Sequence, residues 1–359
     1  MRTRRTRSRS AGPSSMAVSA PLTNGTTPLG AEDGANGDAN AAGKAAHPPA
    51  RNVRNVVLGS LAIEPWFSSE GYPEEMVGKE VDRLYVCQWC FKYTKERVPF
   101  LQHMTACPAR TSPPPGTRIY TRGTISIHEL DGASATLYAQ NLSLFAKFFL
   151  HAKSVFYDVS AFLFYLLVLD PADPSIPSAL DPATATATAA PSHTQAQVVG
   201  FFSKEKTSWD NNNLACICVF PPWQRQGLAQ VLIATSYVLG RKDGRTGGPE
   251  KPLSAHGYAA YVQYWSRTLA RSILRWRGKA LTVAELHAQT GIAADDVQNT
   301  LGAMGLLERR KRAWVVNRGR ARAWVELGGG RVESPVDEEA FVVGDGEGSE
   351  EEDEVNSGE

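Results

Sequence analysis

One stretch, residues 198–264, constrains the fold of this chain more than any other. An apolar run at 214–220 is followed by a polar turn containing Gly227 and then by helical apolar spacing at 231–239. A strand, a glycine turn and a helix in this order place backbone N–H groups at a helix N-terminus, where the helix dipole is positive. The stretch therefore predicts a phosphate-binding site. A carboxylate, Glu250, comes next in a turn flanked by prolines.

Size and charge predict one large or two medium domains with charged tails. The chain has 359 residues, of which 42% are hydrophobic, enough for a substantial core. The net charge of +1 conceals five arginines in the first ten residues and six acidic residues in the last ten. We expect a disordered basic tail at 1–50 and a disordered acidic tail at 328–359. The basic tail could serve nuclear import or nucleic-acid contact, and a plain solvated tail is the alternative.

Cysteine usage and hydropathy argue against secretion and against a membrane span. The five cysteines form an odd, clustered set with no apolar leader before them, which is typical of a reducing compartment. An Arg- and Ser-rich start also occurs in mitochondrial transit peptides, but clear amphipathic periodicity is missing here. The longest apolar run, 161–169, is far shorter than the roughly 20 residues that cross a bilayer.

The segment 84–108 has the ligand spacing of a zinc finger. Cys87 and Cys90 are separated by two residues, and twelve residues later His103 and Cys107 are separated by three. The first pair is expected on a hairpin knuckle and the second on one face of a helix. Four protein ligands close the site, so we expect structural zinc; buried free thiols beside a surface histidine are the alternative. Such fingers can contact DNA, but the aromatic residues here favour packing against a neighbouring domain.

The region between the finger and residue 198 predicts the body of a mixed α/β domain. Alternation at 119–127 indicates strands, and helical spacing at 141–150 indicates a helix. The β-branched and aromatic run 154–170 predicts two strands broken near Asp158. Residues 171–196 are proline-rich and low in complexity, so we expect a disordered insertion in a hairpin.

After residue 265 the pattern is that of a helix–turn–helix and a hairpin. Thr282 and Glu285 form a capping-box signature, Gly291 separates two helical segments, and 309–324 alternates as a hairpin. Together these features predict a winged-helix-like unit. Its basic run, 309–312, either contacts phosphates or is simply solvated.

Several motifs resemble the MYST family of histone acetyltransferases: the Cys-Cys-His-Cys finger, FLHAKSVFYDV, GFFSKEK, NNLACICVFPPWQRQGLAQVLI and GGPEKPLS. The likeness covers roughly residues 51–327 and is strongest to the fungal "something about silencing" (SAS) branch, through RNVRNVVLG and YVQYWSRTL. The resemblance implies an α/β (α+β) fold with a GNAT-like acetyl-CoA-binding core at 116–265. An N-terminal C2HC zinc finger subdomain at 51–115 and a C-terminal winged-helix-like subdomain at 266–327 flank it.

The resemblance also implies roles for individual residues. Cys216 matches the active-site cysteine of the family, Glu250 matches the general base, and Lys153 matches a lysine that becomes autoacetylated. Three further segments match the acetyl-CoA contacts: Ile217, Cys218 and Val219; Gln224, Arg225, Gln226, Gly227, Leu228, Ala229 and Gln230; and Ser254.

This chemistry agrees with the residue types. A lysine has a pKa near 10.4 and must lose a proton before it attacks a thioester. A carboxylate can accept that proton, directly or through water, if burial raises its pKa, and we expect Glu250 to lie in its turn beside a hydrophobic body. Cys216 could instead form an acetyl-thioester intermediate. We favour direct attack, because no histidine or cation obviously adjoins Cys216. Two departures from the family bear on turnover. Ala229 stands where the family usually has a second glycine, and its Cβ restricts φ and the approach of the backbone to a phosphate. Cys218 replaces a larger or hydroxylated residue.

The resulting expectation is a nuclear histone acetyltransferase that uses acetyl-CoA and carries structural zinc. Its expected partners are histone tails and nucleosomes, above all histone H4, the subunits of a nuclear acetyltransferase complex, and DNA through a weak contact; no membrane is expected. The branch resemblance implies a role in chromatin silencing. The alternative is a chromatin-binding scaffold that combines a zinc finger and a winged helix with a catalytically weak core.

Overall fold

The computed structural model describes residues 51–170, 195–278, 281–310, 313–328 and 332–342. The segment predicted as a basic tail, nearly all of the predicted insertion and the strongly acidic end of the chain lie outside the described residues. Within the described residues, no helix is long and apolar enough to span a membrane.

The elements follow one another in a mixed order. The strands are β1 (Val53–Leu58), β2 (Leu61–Ile63), β3 (Val81–Val86), β4 (Tyr93–Thr94), β5 (Thr117–Arg122), β6 (Ile125–Asp131), β7 (Phe162–Leu169), β8 (Gln197–Glu205), β9 (Cys216–Val219), β10 (Leu307–Arg310) and β11 (Ala313–Val316). The helices are α1 (Glu74–Val77), α2 (Arg97–Ala106), α3 (Thr136–Lys147), α4 (Leu228–Lys242), α5 (Ala255–Arg275), α6 (Val283–Thr290), α7 (Ala294–Ala303) and α8 (Arg318–Glu326).

A five-stranded antiparallel sheet forms the centre, in the order β5-β6-β7-β8-β9. The central parts of β7 and β8 are buried on both faces, which explains why residues 164–168 and 198–202 contain no polar side chain except that of Tyr165, instead of alternating. A smaller sheet, β2-β1-β3-β4, carries the finger. Residues from both sheets belong to one hydrophobic core that extends to Phe341.

The prediction of two strands in 154–170 is wrong. Only β7 forms there, and the residues before it make turns. The Phe162 N–H donates to the Val159 carbonyl, and the Gln140 side chain donates to the Tyr157 carbonyl. Because turn and side-chain bonds use these backbone groups, they are not available to a sheet ladder.

The C-terminal part confirms the helix–turn–helix and corrects the prediction for the residues after it. Thr282 and Glu285 form the capping box in full, and Gly291 ends α6 with φ 72°. The hairpin is β10–β11, but the second half of the predicted hairpin is helix α8. Asn317 starts this helix, because its side chain accepts a hydrogen bond from the Arg320 N–H at 3.0 Å.

The predicted disordered tail from 328 is wrong for residues 332–342. Val336 and Phe341 in this segment are buried, and the ring of Phe341 lies 4.5 Å from that of Tyr120 on β5. The Val342 N–H also donates to the Ile119 carbonyl. Two apolar anchors within an acidic composition therefore hold this segment against the central sheet.

Candidate active site and zinc centre

Four side chains converge at the finger in a geometry that fits zinc. The β3–β4 hairpin carries Cys87 and Cys90, α2 carries His103, and Cys107 ends that helix. Their ligand atoms all lie within 4.8 Å of one another, with 3.8 Å between the sulfurs of Cys87 and Cys107. Tetrahedral zinc, with Zn–S bonds near 2.3 Å, requires sulfurs about 3.8 Å apart. The hydrogen bond with the Cys87 thiol lowers the pKa of Cys90 to about 5, which favours the thiolate that zinc binds.

The residue directly after the first two ligands connects the finger to the core. Phe91 has a positive φ of 59°, which turns the chain immediately after Cys90, and its side chain is fully buried. Its ring lies within 5.8 Å of the rings of Tyr138, Phe145 and Phe220. The finger therefore packs on α3 and on the end of β9, as the aromatic residues of the sequence predicted.

A short parallel pairing holds Glu250 beside β9. Leu214 and Pro249 form an isolated parallel bridge, and the Glu250 N–H donates to the Leu214 carbonyl at 2.8 Å. Glu250 is exposed, so the expectation that this carboxylate is buried against a hydrophobic body is wrong. The half-buried Cys216 comes two residues after Leu214, on the strand that runs parallel to the Glu250 segment. The structure thus brings together two residues that the sequence separates widely.

The same loop is anchored on its other side by the C-terminal unit. The Lys251 ammonium contacts the buried Asp296 carboxylate of α7 at 2.7 Å, and the Gly247 N–H donates to the Gly291 carbonyl. Sequence reasoning did not find this support, because no local pattern connects a loop lysine to an aspartate in a distant helix. The anchor fixes the backbone next to Glu250.

The polar turn after β9 adopts the conformation that anion binding requires. Arg225 and Gly227 have φ values of 62° and 79°, and Gly227 starts α4 without any side-chain cap. The first N–H groups of the helix, at Leu228 and Ala229, are therefore left for a ligand. Gln224 holds the turn closed, because its amide donates to the Val219 carbonyl at 2.8 Å.

Not every predicted acetyl-CoA contact presents its side chain to this turn. Cys218 and Leu228 are buried, and the buried Gln230 donates to the Ala260 carbonyl of α5. Ser254 caps α5 by accepting from the Gly257 N–H at 3.1 Å. Val219 in β9 is also buried. The other members of the predicted set are at least partly exposed, namely Ile217, Gln224, Arg225, Gln226, Gly227 and Ala229.

Lys153 lies close enough to the cysteines of β9 to interact with them electrostatically. The side chain is buried, and burial lowers the pKa of its ammonium, while the charges of Cys216 and Cys218 act in the opposite direction. The expectation that no cation adjoins Cys216 is therefore wrong. Sequence reasoning missed the pairing because Lys153 reaches β9 from a segment far away in the chain. Burial also raises the pKa of the Cys218 thiol to about 12, so that thiol stays protonated.

Comparison with known proteins agrees with this arrangement. Residues 113–178 and 185–330 match the MOZ/SAS family, and residues 50–107 match the MYST family zinc finger domain. The chain belongs to the MOZ/SAS family. Its strand–turn–helix thus lies in a segment that matches the MOZ/SAS family, and its finger cluster lies in the segment that matches the MYST zinc finger domain. The family-level resemblance found in the sequence is confirmed.

Three curated relatives of this MOZ/SAS chain are named as histone acetyltransferases or as a putative one. The chain is 34% identical over 270 residues to the Tip60 homolog of Caenorhabditis elegans, covering 74% of this chain and 53% of that protein. It is 37% identical over 266 residues to putative MYST-like histone acetyltransferase 1 of Oryza sativa, covering 74% and 53%. It is 40% identical over 257 residues to MOF of Drosophila melanogaster, covering 71% and 28%. The chain spans about half or less of the length of these relatives.

Proposed function

We propose that this protein is a protein-lysine acetyltransferase that transfers the acetyl group of acetyl-CoA to a histone tail. The observation that carries the proposal is the arrangement around β9. An exposed carboxylate, Glu250, is held beside one end of the strand by the Leu214–Pro249 bridge. An uncapped helix N-terminus follows the other end. Transfer of an acetyl group from acetyl-CoA to an amine can use both elements: a proton acceptor for the amine and an anchor for the phosphates of the cofactor.

The turn fits the pyrophosphate of acetyl-CoA. Gly227 is exposed and has open space around its α-carbon, so a ligand can approach the backbone closely. The N–H groups of Leu228 and Ala229 would hold the phosphate oxygens. When bound, acetyl-CoA supplies an acetyl thioester, which is the electrophile.

Ala229 stands where the family usually has a glycine, but it restricts the approach of a phosphate to the backbone only slightly. It lies within the first turn of α4, where helical φ is ordinary for alanine, so its backbone carries no conformational strain. Its methyl group can limit only the closeness of a phosphate. We therefore propose that the protein binds acetyl-CoA in spite of this substitution.

We propose direct attack by the substrate lysine with Glu250 as the general base. The exposed carboxylate can be reached by a protein side chain, and it accepts the proton that the lysine ammonium must lose. A route through Cys216 would need a stabilised thiolate. Lys153 is the nearby cation, but burial lowers the pKa of its ammonium group. This weakens the support that Lys153 can give to a thiolate.

Autoacetylation of Lys153 has a physical rationale in this position. An ammonium group with only 4% of its residue surface exposed is costly to keep charged. Acetylation would remove the charge next to Cys216 and Cys218. We propose Lys153 as a modified residue, which intact-mass and peptide mass spectrometry would detect after incubation with acetyl-CoA.

The finer features of the proposal rest on the sequence resemblance. They are histone H4 as the main substrate, the SAS-type branch, a role in chromatin silencing, a nuclear location, association with an acetyltransferase complex on nucleosomes, and a weak DNA contact. Support for a nuclear location comes from the relatives, whose names are those of histone acetyltransferases. Zinc is proposed to serve structure alone, since four protein ligands leave no open coordination position.

An acetyl-transfer assay tests the function directly. The full chain is incubated with radiolabelled acetyl-CoA and with tail peptides from each of the core histones. Label on a histone lysine, highest on the peptide from histone H4, is the expected result. No transfer to any peptide or to whole nucleosomes, by protein that still binds acetyl-CoA, would overturn the enzyme assignment in favour of the chromatin-binding scaffold.

A further inference from the structure

A second concave site lies at one end of α4, and the polar turn at Gly227, which we propose binds acetyl-CoA, lies at the other. It is a cavity of about 490 Å³ between α4, α5, α6 and the segment 332–342. This size is within the usual range of small-molecule sites, about 300–1,000 Å³. Fourteen residues of α4 separate Gly227 from Arg241 in the cavity, which corresponds to about 20 Å along a helix. The two sites are therefore distinct.

The cavity concentrates positive charge. Four arginines line it, Arg241, Arg271, Arg275 and Arg277, against one lining acid, Glu338, among the residues that the structure describes. The C-terminal ends of α4, α5 and α6 contribute roughly half a negative charge each. A net charge of about +1.5 remains in one concave space after all three contributions are counted.

Only part of this charge is satisfied within the protein. Arg241 contacts Glu338 at 2.7 Å, and Arg271 donates to the Val332 carbonyl at 2.8 Å. Arg275 and Arg277 are exposed, and neither makes an ion pair or a side-chain hydrogen bond within the described part of the chain. Arg241 and Arg271 thus form the inner wall of the cavity. Arg275 and Arg277 lie at its rim and are exposed to solvent.

The inner wall holds a guanidinium that burial makes costly to keep charged. Burial is the main cause that lowers the pKa of Arg271; the charges of Arg275 and Arg241 lower it further, whereas Tyr264 and Glu338 act in the opposite direction. Hydroxyl groups of Thr268 and Ser272 line the same space and can donate to an anion. An anion with several charges would relieve the repulsion and pair with more than one guanidinium.

We propose that this cavity, which we call the arginine pocket, binds a small molecule carrying several phosphate groups. Planar guanidinium groups pair with phosphate oxygens through two parallel hydrogen bonds. Arg271 lies half-buried against the segment 332–342, where a compact ligand reaches it more easily than the backbone of a DNA duplex. Binding there would tie this segment to α5 and stabilise the fold.

Calorimetric titration of the full chain with myo-inositol hexakisphosphate tests the proposal. Saturating coenzyme A is present throughout, so that the polar turn at Gly227 is already occupied and does not bind the probe. We expect saturable binding of one molecule per chain, with a melting temperature that rises as the probe concentration rises. Inorganic phosphate should bind at least tenfold more weakly, because it can pair with fewer arginines at once.

The double variant Arg275→Gln/Arg277→Gln locates the binding. It changes two exposed side chains and should keep the wild-type zinc content and melting temperature in the absence of the probe. We expect at least a tenfold loss of affinity for the hexakisphosphate. The matched control, Arg54→Gln/Arg83→Gln, removes the same charge from exposed positions on β1 and β3 and should change the affinity less than twofold.

Three results would overturn the arginine pocket as a site for small polyphosphates. The first is no saturable binding of hexakisphosphate at low salt. The second is an equal loss of affinity in both double variants, which would indicate general charge attraction. The third is tight binding of a 20-base-pair DNA duplex that depends on Arg275 and Arg277 while hexakisphosphate does not bind. The acetyl-transfer assay is read separately, so failure here leaves the proposed function intact.

Discussion

Replacing Phe91 with alanine tests whether the zinc finger and the part of the chain built on the central sheet fold as one unit. The phenyl ring is fully buried and packs on the rings of Tyr138, Phe145 and Phe220. Loss of the buried apolar surface costs about 2–3 kcal/mol. A residual cavity of roughly 80 Å³, at about 24 cal/mol per Å³, adds about 2 kcal/mol. Alanine keeps the positive φ of the knuckle, so backbone strain is unchanged to first order.

The expected loss is therefore about 4–5 kcal/mol in the free energy of unfolding, at the upper end of phenylalanine-to-alanine changes. Urea unfolding of the zinc-saturated full chain, followed by tryptophan fluorescence, measures it as a shift of the midpoint with an unchanged slope. The matched control is Val98→Ala on α2, whose side chain is 65% exposed, and we expect a change within about 0.5 kcal/mol. A loss below about 1 kcal/mol for Phe91→Ala, or a separate early transition already in the wild type, would refute joint folding.

The zinc centre and the residues around β9 support four further predictions. Removing zinc with a strong chelator should lower the unfolding midpoint, and zinc but not magnesium should restore it. Gly227→Ala forces alanine to φ 79° and should weaken acetyl-CoA binding about tenfold by calorimetry, without a clash. Because burial lowers the pKa of Lys153, the unfolded chain binds more protons between the folded pKa and about 10.4, so stability rises with pH there. Lys153→Met should flatten this slope in urea unfolding at pH 8 and pH 10. Direct attack predicts that Cys216→Ser keeps most of kcat, whereas a loss above a hundredfold would indicate an acetyl-cysteine route.

Local patterns in the sequence predicted the zinc centre and the strand–turn–helix. Cys87 to Cys107 lie within one short segment, so ligand spacing alone determines which side chains can meet a metal. The turn at Gly227 is equally local, because glycine conformation and helix capping depend on immediate neighbours.

Contacts between distant segments could not be predicted in the same way. Lys153 interacts with Cys216, and Asp296 anchors the loop of Glu250, through tertiary packing that leaves no local signature. The polar composition of the segment 332–342 predicts a disordered tail, but two buried apolar residues, Val336 and Phe341, hold it on the core. Local capping by Asn317 likewise overrode the alternation that predicted a longer hairpin.

The most direct test of the account is the turnover of Glu250→Gln, which keeps the shape of the side chain and removes its ability to accept a proton. The account predicts unchanged acetyl-CoA binding by calorimetry and a fall in kcat of about 10²–10⁴ at neutral pH, the usual contribution of a general base. Glu75→Gln, at an exposed carboxylate on α1, is the matched control and should keep wild-type turnover. Wild-type kcat in Glu250→Gln at neutral pH would contradict the assignment of Glu250 as the base that activates the substrate lysine.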